Sequence, residues 1–192
     1  MSDPAYKEEE DHKFSYTDYK GWELKEGERY ELIDGVAYAM SAPGILHQRI
    51  SMVLSGEFYA FLKDKTCQVF AAPFDVRLFF QEDGSDDTVL QPDLVVVCDP
   101  EKLGEEGCRG TPDMVAEILS PSNTAIEMER KLNLYREARV REYWVVDPQN
   151  KHISAYRLKE DEYSLRTFHT PDNAESSVLP GLEIPLSLVF TP

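Results

Sequence analysis

The chain has 192 residues, of which 42% are hydrophobic, 11% aromatic and 29% charged. This length and composition predict a globular protein with one domain and its own core, and the chain is short for two domains. The net charge of −16, from 20 basic and 36 acidic residues, argues against broad, non-specific affinity for nucleic acid, because phosphate binding needs a cationic surface. Any interaction with nucleic acid would therefore need a local basic site.

The N-terminal sequence MSDPAYKEEEDHK is acidic and has no apolar segment, so it does not resemble a signal peptide. Residues 1–13 are predicted to be a disordered acidic tail, and residues 14–192 a single domain. No apolar run approaches the ~18 residues needed to span a bilayer, which predicts no membrane partner. The cysteines Cys67, Cys98 and Cys108 are odd in number and show no CxxC spacing. They predict reduced thiols in a cytoplasmic protein, with neither a disulfide nor a zinc site.

The first half of the chain predicts a hairpin, a helix and buried strands. RYELIDGVAYAM forms two short alternating runs around Asp34-Gly35, a strong signal for a β-hairpin. GILHQRISMVLSGEFYAFLKDK carries apolar residues at helical spacing and predicts an amphipathic helix. QVFAAPFDVRLFF predicts a strand, QEDGSDD an exposed acidic loop, and PDLVVVC a strand buried on both faces.

The second half adds two strands, a helix and a second hairpin. MVAEIL predicts a strand, SPSN a turn and helix cap, and TAIEMERKLNLYREARV a helix. EYWVVD predicts another buried strand, and HISAYRL and EYSLRTF predict a peripheral hairpin around the KED turn. The C-terminal stretch, with Leu179-Pro180-Gly181 and Pro185, predicts mostly irregular structure. This order predicts an α/β domain with a mixed sheet and helices packed on it.

Two acidic residues stand at strand ends that are predicted to meet. If PDLVVV and MVAEIL are antiparallel neighbours, the start of the first strand lies beside the end of the second, and Asp93 lies close to Glu117. Two adjacent carboxylates repel unless a cation lies between them. A hard divalent ion such as Mg²⁺ accepts one or two carboxylates together with water and phosphate oxygens. The pair therefore predicts a metal site.

A lysine is predicted to reach the same place. Met128, Leu132, Tyr135 and Ala138 form an apolar stripe along the second helix, and Lys131 lies in or beside it. A lysine that faces the interior needs an anionic partner. The short SPSN connection keeps this helix beside the strand that carries Glu117. The ammonium of Lys131 could then orient an attacking water or stabilise charge that develops on a phosphoryl group.

These motifs resemble the PD-(D/E)XK restriction-endonuclease-like superfamily, and more narrowly its Uma-type branch of bacterial restriction-endonuclease-like proteins. The resemblance covers about residues 14 to 190 and rests on six features in order: YELIDG, the region of His47, QPD, AEILSPS, KLNLY and EYWVVDP. It implies a restriction-endonuclease-like mixed β-sheet core flanked by helices, with the N-terminal β-hairpin and the C-terminal peripheral hairpin attached. Restriction-type nucleases commonly pair, so the resemblance also implies a homodimer, with residues 152 to 168 as one candidate interface.

The resemblance also assigns roles to residues. Asp93 and Glu117 match the metal-binding acids, which would hold Mg²⁺ or Mn²⁺ together with the backbone carbonyl of Ile118. The lysine that usually stands two positions after the glutamate is absent, because Leu119 occupies that place. In the Uma-type branch it is replaced by a lysine on the following helix, where this chain has Lys131. Glu31 matches an acid near the metal, and His47 and Tyr135 match positions that line the cleft.

Each of these residues has an alternative, non-catalytic interpretation. Asp93 begins a strand after Pro92, as aspartate often does in turns. Glu117 and Lys131 could form a structural ion pair, and a lysine at a helix edge commonly reaches solvent. The corresponding alternatives for the other residues are a solvent-facing strand position for Glu31, a hydrogen-bonded histidine for His47 and a core side chain for Tyr135.

The acids of the central loops also have more than one interpretation. Asp75 could join the acidic cluster or pair with Arg77. The acidic loop is predicted to be a solvated turn, or else a weak Ca²⁺ site; its acids are Glu82, Asp83, Asp86 and Asp87.

The sequence favours a phosphodiesterase that uses Mg²⁺ or Mn²⁺ and acts on nucleic acid, with DNA as the favoured substrate. Its basic patch would come from arginines around the second helix, namely Arg130, Arg136, Arg139 and Arg141. Tyr135 of the same helix is a further candidate contact to nucleic acid. An alternative is a catalytically weak or inactive module of the same fold that serves protein–protein interaction or assembly. A third option, hydrolysis of sugars by paired acids, would need carboxyl groups on either side of a groove.

Overall fold

A computed structural model of the protein describes residues 12–191, so residues 1–11 of the predicted acidic tail lie outside the described residues. The strands, in chain order, are β1 (Tyr30–Ile33), β2 (Val36–Ala39), β3 (Gln68–Ala71), β4 (Asp75–Arg77), β5 (Val89–Leu90), β6 (Leu94–Val97), β7 (Leu103–Gly104), β8 (Gly107–Arg109), β9 (Met114–Ile118), β10 (Glu142–Asp147), β11 (His152–Lys159), β12 (Glu162–His169), β13 (Asn173–Glu175) and β14 (Glu183–Pro185). The helices are α1 (Tyr16–Lys20), α2 (Ile45–Leu62), α3 (Ala125–Glu137) and α4 (Leu186–Phe190), with a 3-10 turn at Pro100–Lys102.

Two mixed sheets of six strands each organise the described chain. The central sheet has the order β12-β11-β10-β9-β6-β3, in which only the pairing of β9 with β10 is parallel. The second sheet has the order β2-β1-β5-β4-β8-β7, in which β4 and β8 are parallel. A two-stranded sheet joins β13 and β14 near the C-terminus.

The two faces of the central sheet bury different parts of the chain. Because side chains alternate across a strand, Leu94 and Val96 of β6 face one way while Val95 and Val97 face the other. The first face packs against α2 and the C-terminal segment, and the second against α3 and the second sheet. The unbroken LVVV run of β6 follows from this double cover, since both faces are buried. The strands that carry functional side chains are therefore fixed from both sides.

The predicted secondary structure is confirmed for the main elements. The Asp34-Gly35 turn joins β1 to β2 with positive φ at both residues (51° and 78°), as the hairpin signal predicts. The predicted helices correspond to α2 and α3, and the peripheral hairpin to β11 and β12. Thr124 caps α3 and exchanges hydrogen bonds with Glu127, which fixes the first residue of this helix.

Three predictions about local structure are wrong. The segment QVFAAPFDVRLFF is not one strand, because it divides at Ala72-Pro73 into β3 of the central sheet and β4 of the second sheet. The C-terminal stretch is not mostly irregular, since it forms β13, β14 and α4 and buries Leu186 and Val189. The acidic loop is not wholly a solvated turn, because Asp86 is buried in an ion pair with Arg77.

The prediction of reduced thiols is also wrong for two of the cysteines. Cys67 and Cys98 form a disulfide. They lie one position beyond the antiparallel pair Gln68 and Val97, so the ladder of β3 and β6 sets them opposite each other. Cys108 is free and buried, and burial raises the pKa of its thiol to about 11. Between residues 12 and 191, no helix is both long and apolar enough to cross a bilayer.

Candidate active site

Asp93 and Glu117 lie side by side, as predicted from their strands. The antiparallel ladder of β6 and β9 pairs Leu94 with Ala116, and one further step in the same register sets Asp93 opposite Glu117. The N–H of Ile118 donates a hydrogen bond of 2.7 Å to Oδ2 of Asp93, which fixes the aspartate at the end of the ladder. The two acids therefore meet because of the sheet register.

Lys131 completes the cluster from the facing helix. Its Nζ donates hydrogen bonds of 2.9 Å to Oε1 of Glu117 and 2.9 Å to Oε1 of Glu31. The side chain of Lys131 is only 19% exposed, and those of Glu31 and Glu117 are 7% and 14% exposed. Glu31 is thus a buried member of the site, and Lys131 points inward.

Backbone and tyrosine donors hold the two glutamates in place. The N–H of Gln91 donates to Oε1 of Glu31 at 3.0 Å, because β5 pairs with β1 and leads into Gln91. The hydroxyl of Tyr135, which is fully buried, donates to Oε1 of Glu117 at 2.7 Å. Tyr135 therefore supports the site from beneath and does not reach the cleft surface.

His47 contacts the site from the first turn of α2. Its Nε2 lies 3.1 Å from Oδ2 of Asp93. Its other ring nitrogen, Nδ1, is buried and has no hydrogen-bond partner in the described chain. An unpaired buried nitrogen is costly and needs a partner from solvent or a ligand. His47 is thus fixed to Asp93 through one nitrogen and retains an unused one.

Burial and mutual repulsion set the charges of the cluster. Burial raises the pKa of Glu117 to about 7, and the charges of Glu31 and Asp93 add to the effect, while Lys131 opposes it. Burial alone would lower the pKa of Lys131, but the charges of Glu117 and Glu31 outweigh it and raise that pKa. The hydrogen bond to Asp93 raises the pKa of His47, against the effect of burial. Lys131 is therefore a permanent cation, and Glu117 titrates near neutrality.

The cluster opens into a cleft of about 190 Å³. Asp93, Glu31 and Glu117 each accept hydrogen bonds through only one carboxylate oxygen within residues 12–191. These oxygens are Oδ2 of Asp93, Oε1 of Glu31 and Oε1 of Glu117. None of the second oxygens is both fully buried and without a partner, and all three residues line the cleft. Hard oxygen atoms with free lone pairs are the donors that Mg²⁺ and Mn²⁺ prefer.

The donor set fits a metal only if other ligands complete it. No three acidic, histidine or cysteine side chains in the described part of the chain are arranged to hold a metal ion by themselves. Mg²⁺ commonly keeps several waters and takes only one or two protein carboxylates. The side-by-side carboxylates of Asp93 and Glu117 fit that pattern, with the backbone carbonyl of Ile118 at the same strand end.

The predicted arginine patch is divided by the structure. Arg130 lines the cleft, with its guanidinium 4.6 Å from the ring centroid of Tyr38. Arg136 pairs with Glu162, Arg139 with Asp161 and Arg141 with Asp113, and none of these three arginines lines the cleft. Contact between nucleic acid and Arg136 or Arg139 stays a prediction, whereas the prediction is wrong for Tyr135, which is fully buried and does not line the cleft.

Sequence reasoning missed other residues of the site. Gln91 holds Glu31 through its backbone, and Arg29 and Tyr38 line the cleft. The available signal for Arg29 was its spacing of two residues from Glu31, just before the first strand. Asp75 neither joins the cluster nor pairs with Arg77, because it accepts a hydrogen bond from the side chain of Gln91 at 2.8 Å.

The fold and the acid–lysine cluster together define a nuclease-like protein with a restriction-endonuclease-like α/β fold. Residues 16–187 match the Uma2 family, described as "Putative restriction endonuclease", and the chain belongs to that family.

The chain is also similar to individual proteins. Two relatives from Synechocystis sp. (strain ATCC 27184 / PCC 6803 / Kazusa) are uncharacterized proteins. Protein slr1290 is 26% identical over 180 residues, which is 93% of this chain and 92% of the relative. Protein sll1609 is 25% identical over 162 residues, 83% of this chain and 89% of the relative. A crystal structure from Anabaena variabilis ATCC 29413, described as a "putative nuclease belonging to DUF820", superposes with a TM-score of 0.74. It is 18% identical and covers 93% of this chain and 98% of its own, a likeness that shows the shared fold.

Proposed function

We propose that this protein is a metal-dependent endonuclease that hydrolyses phosphodiester bonds of nucleic acid, with DNA as the favoured substrate. The observation that carries the proposal is the ammonium of Lys131, held 2.9 Å from both Glu31 and Glu117 beside Asp93 in an open cleft. A structural ion pair explains one carboxylate beside the lysine. It does not explain a third carboxylate at the same point, together with an unused histidine nitrogen.

Each residue of the site would have a different chemical role. Asp93, Glu117 and the carbonyl of Ile118 would hold Mg²⁺ or Mn²⁺, which supplies Lewis-acid polarisation of a phosphoryl oxygen when bound. A lysine ammonium has three N–H donors, and the two carboxylates occupy two of those of Lys131. The third donor is left for an attacking water or for a phosphoryl oxygen that gains charge in the transition state. His47 orients Asp93 from the rim of the cleft.

Cleavage of supercoiled plasmid in the presence of Mn²⁺ tests the proposal. The wild-type protein is expected to nick or linearise the plasmid, and Asp93→Ala and Glu117→Ala are expected to abolish cleavage. Glu162→Gln is the matched control, because this acid pairs with Arg136 away from the cleft. Cleavage that persists in both alanine variants would show that these acids do not hold the catalytic metal.

A second candidate function is a non-cleaving module of the same fold that binds protein partners. It is favoured by the net charge of −16 and by Leu119 at the position of the motif lysine. Calorimetric titration with Mg²⁺, Mn²⁺ and a short duplex at low salt separates the two. Binding of neither metal nor duplex would favour the module over the nuclease.

The proposal includes a homodimer, for which the outer face of α2 is a better candidate interface than the peripheral hairpin. Ile45, Met52 and Tyr59 are 91%, 74% and 65% exposed and follow one another at seven-residue spacing. A two-fold axis at Met52 between antiparallel copies of the helix would set Ile45 of one copy opposite Tyr59 of the other. The helix carries one acid and one arginine in a chain of net charge −16, which limits repulsion between copies. Sedimentation equilibrium of Met52→Glu, against Leu165→Glu on the hairpin, tests this assignment.

A further inference from the structure

Arg29 and Arg130 are two cleft arginines without an acidic partner. Both line the cleft, and neither pairs with a carboxylate between residues 12 and 191. In contrast, most arginines of this acidic chain are paired; they are Arg77, Arg136, Arg139, Arg141, Arg157 and Arg166. The others without a carboxylate partner, Arg49 and Arg109, do not line the cleft. Two of the four arginines that have no carboxylate partner between residues 12 and 191 therefore line the same cleft as the carboxylate cluster.

The first hairpin explains where the two arginines stand. Arg29 immediately precedes β1, and Glu31 and Ile33 lie at alternate positions of that strand. All three line the cleft. The register of the hairpin sets Tyr38 directly opposite Glu31. The guanidinium of Arg130, 4.6 Å from the Tyr38 ring, is held there by a cation–π contact. One arginine therefore comes from the hairpin, and the other comes from α3 and rests on the same hairpin.

Each arginine also adjoins a member of the cluster in sequence. Arg29 lies just before β1, two positions ahead of Glu31, and Arg130 immediately precedes Lys131 on α3. Neither guanidinium bonds to Glu31, Glu117 or Asp93, whose hydrogen bonds come from Lys131, His47, Tyr135 and backbone N–H groups. Their donors are consequently available to a ligand in the cleft.

We propose that Arg29 and Arg130 form a clamp for the phosphate groups of a nucleic-acid strand, and that this clamp is the local basic site that a chain of net charge −16 requires. The inference rests on the proposed nuclease function. The planar guanidinium presents a fork of donors that matches two phosphate oxygens, and such charge-assisted contacts are stronger than neutral ones. The clamp holds the strand beside Asp93 and Glu117 and offsets the repulsion between their carboxylates and the phosphate backbone.

Binding of a short fluorescent single-stranded oligonucleotide, followed by anisotropy across a salt series in EDTA, tests the clamp without cleavage. Each phosphate contact on a single strand contributes about 0.7 to the slope of log affinity against log salt. Arg29→Gln and Arg130→Gln are each expected to reduce that slope by about 0.7. Each is expected to weaken binding about tenfold at low salt, because each removes about one charge-assisted hydrogen bond to the strand.

Matched controls separate the clamp from general loss of positive charge. Arg166→Gln removes the same charge from a residue that already pairs with Glu175 and does not line the cleft. It is expected to leave the slope unchanged. Arg29→Lys should keep the slope and lose part of the affinity, because lysine keeps the charge but not the fork. Melting temperatures of all variants show whether each one is folded.

The result that overturns the clamp is a slope unaltered in folded Arg29→Gln and Arg130→Gln, or wild-type protein that does not bind the oligonucleotide at low salt. This outcome is distinct from failure of the nuclease proposal. If binding is unchanged in the variants and their Mn²⁺-dependent cleavage is intact, only the clamp proposal is rejected. If the slopes change as expected but the protein never cleaves, the clamp proposal stands and the nuclease proposal is rejected.

Discussion

Lys131 and Glu31 stand 100 positions apart in the chain, and their ammonium and carboxylate meet at 2.9 Å. The contact joins α3 to the first strand of the second sheet. Through Glu117, the same ammonium also joins both to the central sheet. One side chain thus connects three parts of the fold at the point where the cleft begins, so the site and the packing of the domain depend on each other.

Removing the ammonium should destabilise the protein. Lys131→Met leaves Glu31 and Glu117 buried without their cation, and loss of one partner from a buried pair costs about 3 kcal/mol or more. Urea unfolding of the variant measures this loss. Lys131→Met combined with Glu117→Gln should recover part of it, since one uncompensated charge is gone. Equal stability of Lys131→Met and wild type would contradict the buried arrangement.

The raised pKa of Glu117 predicts a specific dependence on pH. Its carboxyl titrates near pH 7 in the folded protein, against an ordinary value of 4.5, so between these values the folded state binds more protons than the unfolded state. The contribution of Glu117 to stability should therefore be present below pH 4.5 and decline as pH rises to about 7. Unfolding free energies of wild type and Glu117→Gln from pH 4.5 to 8 isolate it. A difference between the two that does not vary with pH would contradict the shift.

His47 should act on metal affinity through Asp93. Partners that orient a ligating carboxylate typically contribute about 10-fold to 100-fold to metal affinity. His47→Ala is therefore expected to weaken Mn²⁺ binding by that factor in calorimetric titration. His152→Ala, on the peripheral hairpin, is the matched control and should not change it. Equal affinity in both variants would restrict His47 to a structural role.

Glu142 should be the strongest stability determinant outside the site. This acid is completely buried, and its Oε2 accepts hydrogen bonds from Ser176, Ser177 and the N–H of Val178. Its Oε1 accepts one from Trp144 at 2.9 Å. Glu142→Ala leaves these donors unpaired, which costs about 1–3 kcal/mol for each group. Thermal unfolding should show a large loss, and a change in melting temperature of only a few degrees would contradict this anchoring role.

The sequence predicted the parts of the site that follow from local periodicity. Antiparallel pairing of two short apolar runs was enough to bring Asp93 to Glu117. The position of Lys131 in an apolar stripe was enough to turn it inward. These features depend on strand alternation and helical spacing, which a single sequence displays directly.

The features that the sequence did not predict depend on contacts between residues far apart in the chain. The burial of Glu31 could not be predicted, because strand alternation alone favoured a solvent-facing side chain. Glu31 is buried because β1 pairs with β5 and because α3 packs against it through Lys131. The disulfide between Cys67 and Cys98 required the register of β3 with β6. The C-terminal segment looked irregular because Pro180, Gly181 and Pro185 interrupt it, yet Glu142 anchors it from a distant strand.

The most direct test of the account is a crystal structure of the protein soaked in Mn²⁺, with anomalous scattering used to locate the ion. The account predicts one strong peak between the side chains of Asp93 and Glu117, lost in crystals of Glu117→Gln. Mn²⁺ bound elsewhere, with Asp93 and Glu117 unchanged and without an ion between them, would contradict it.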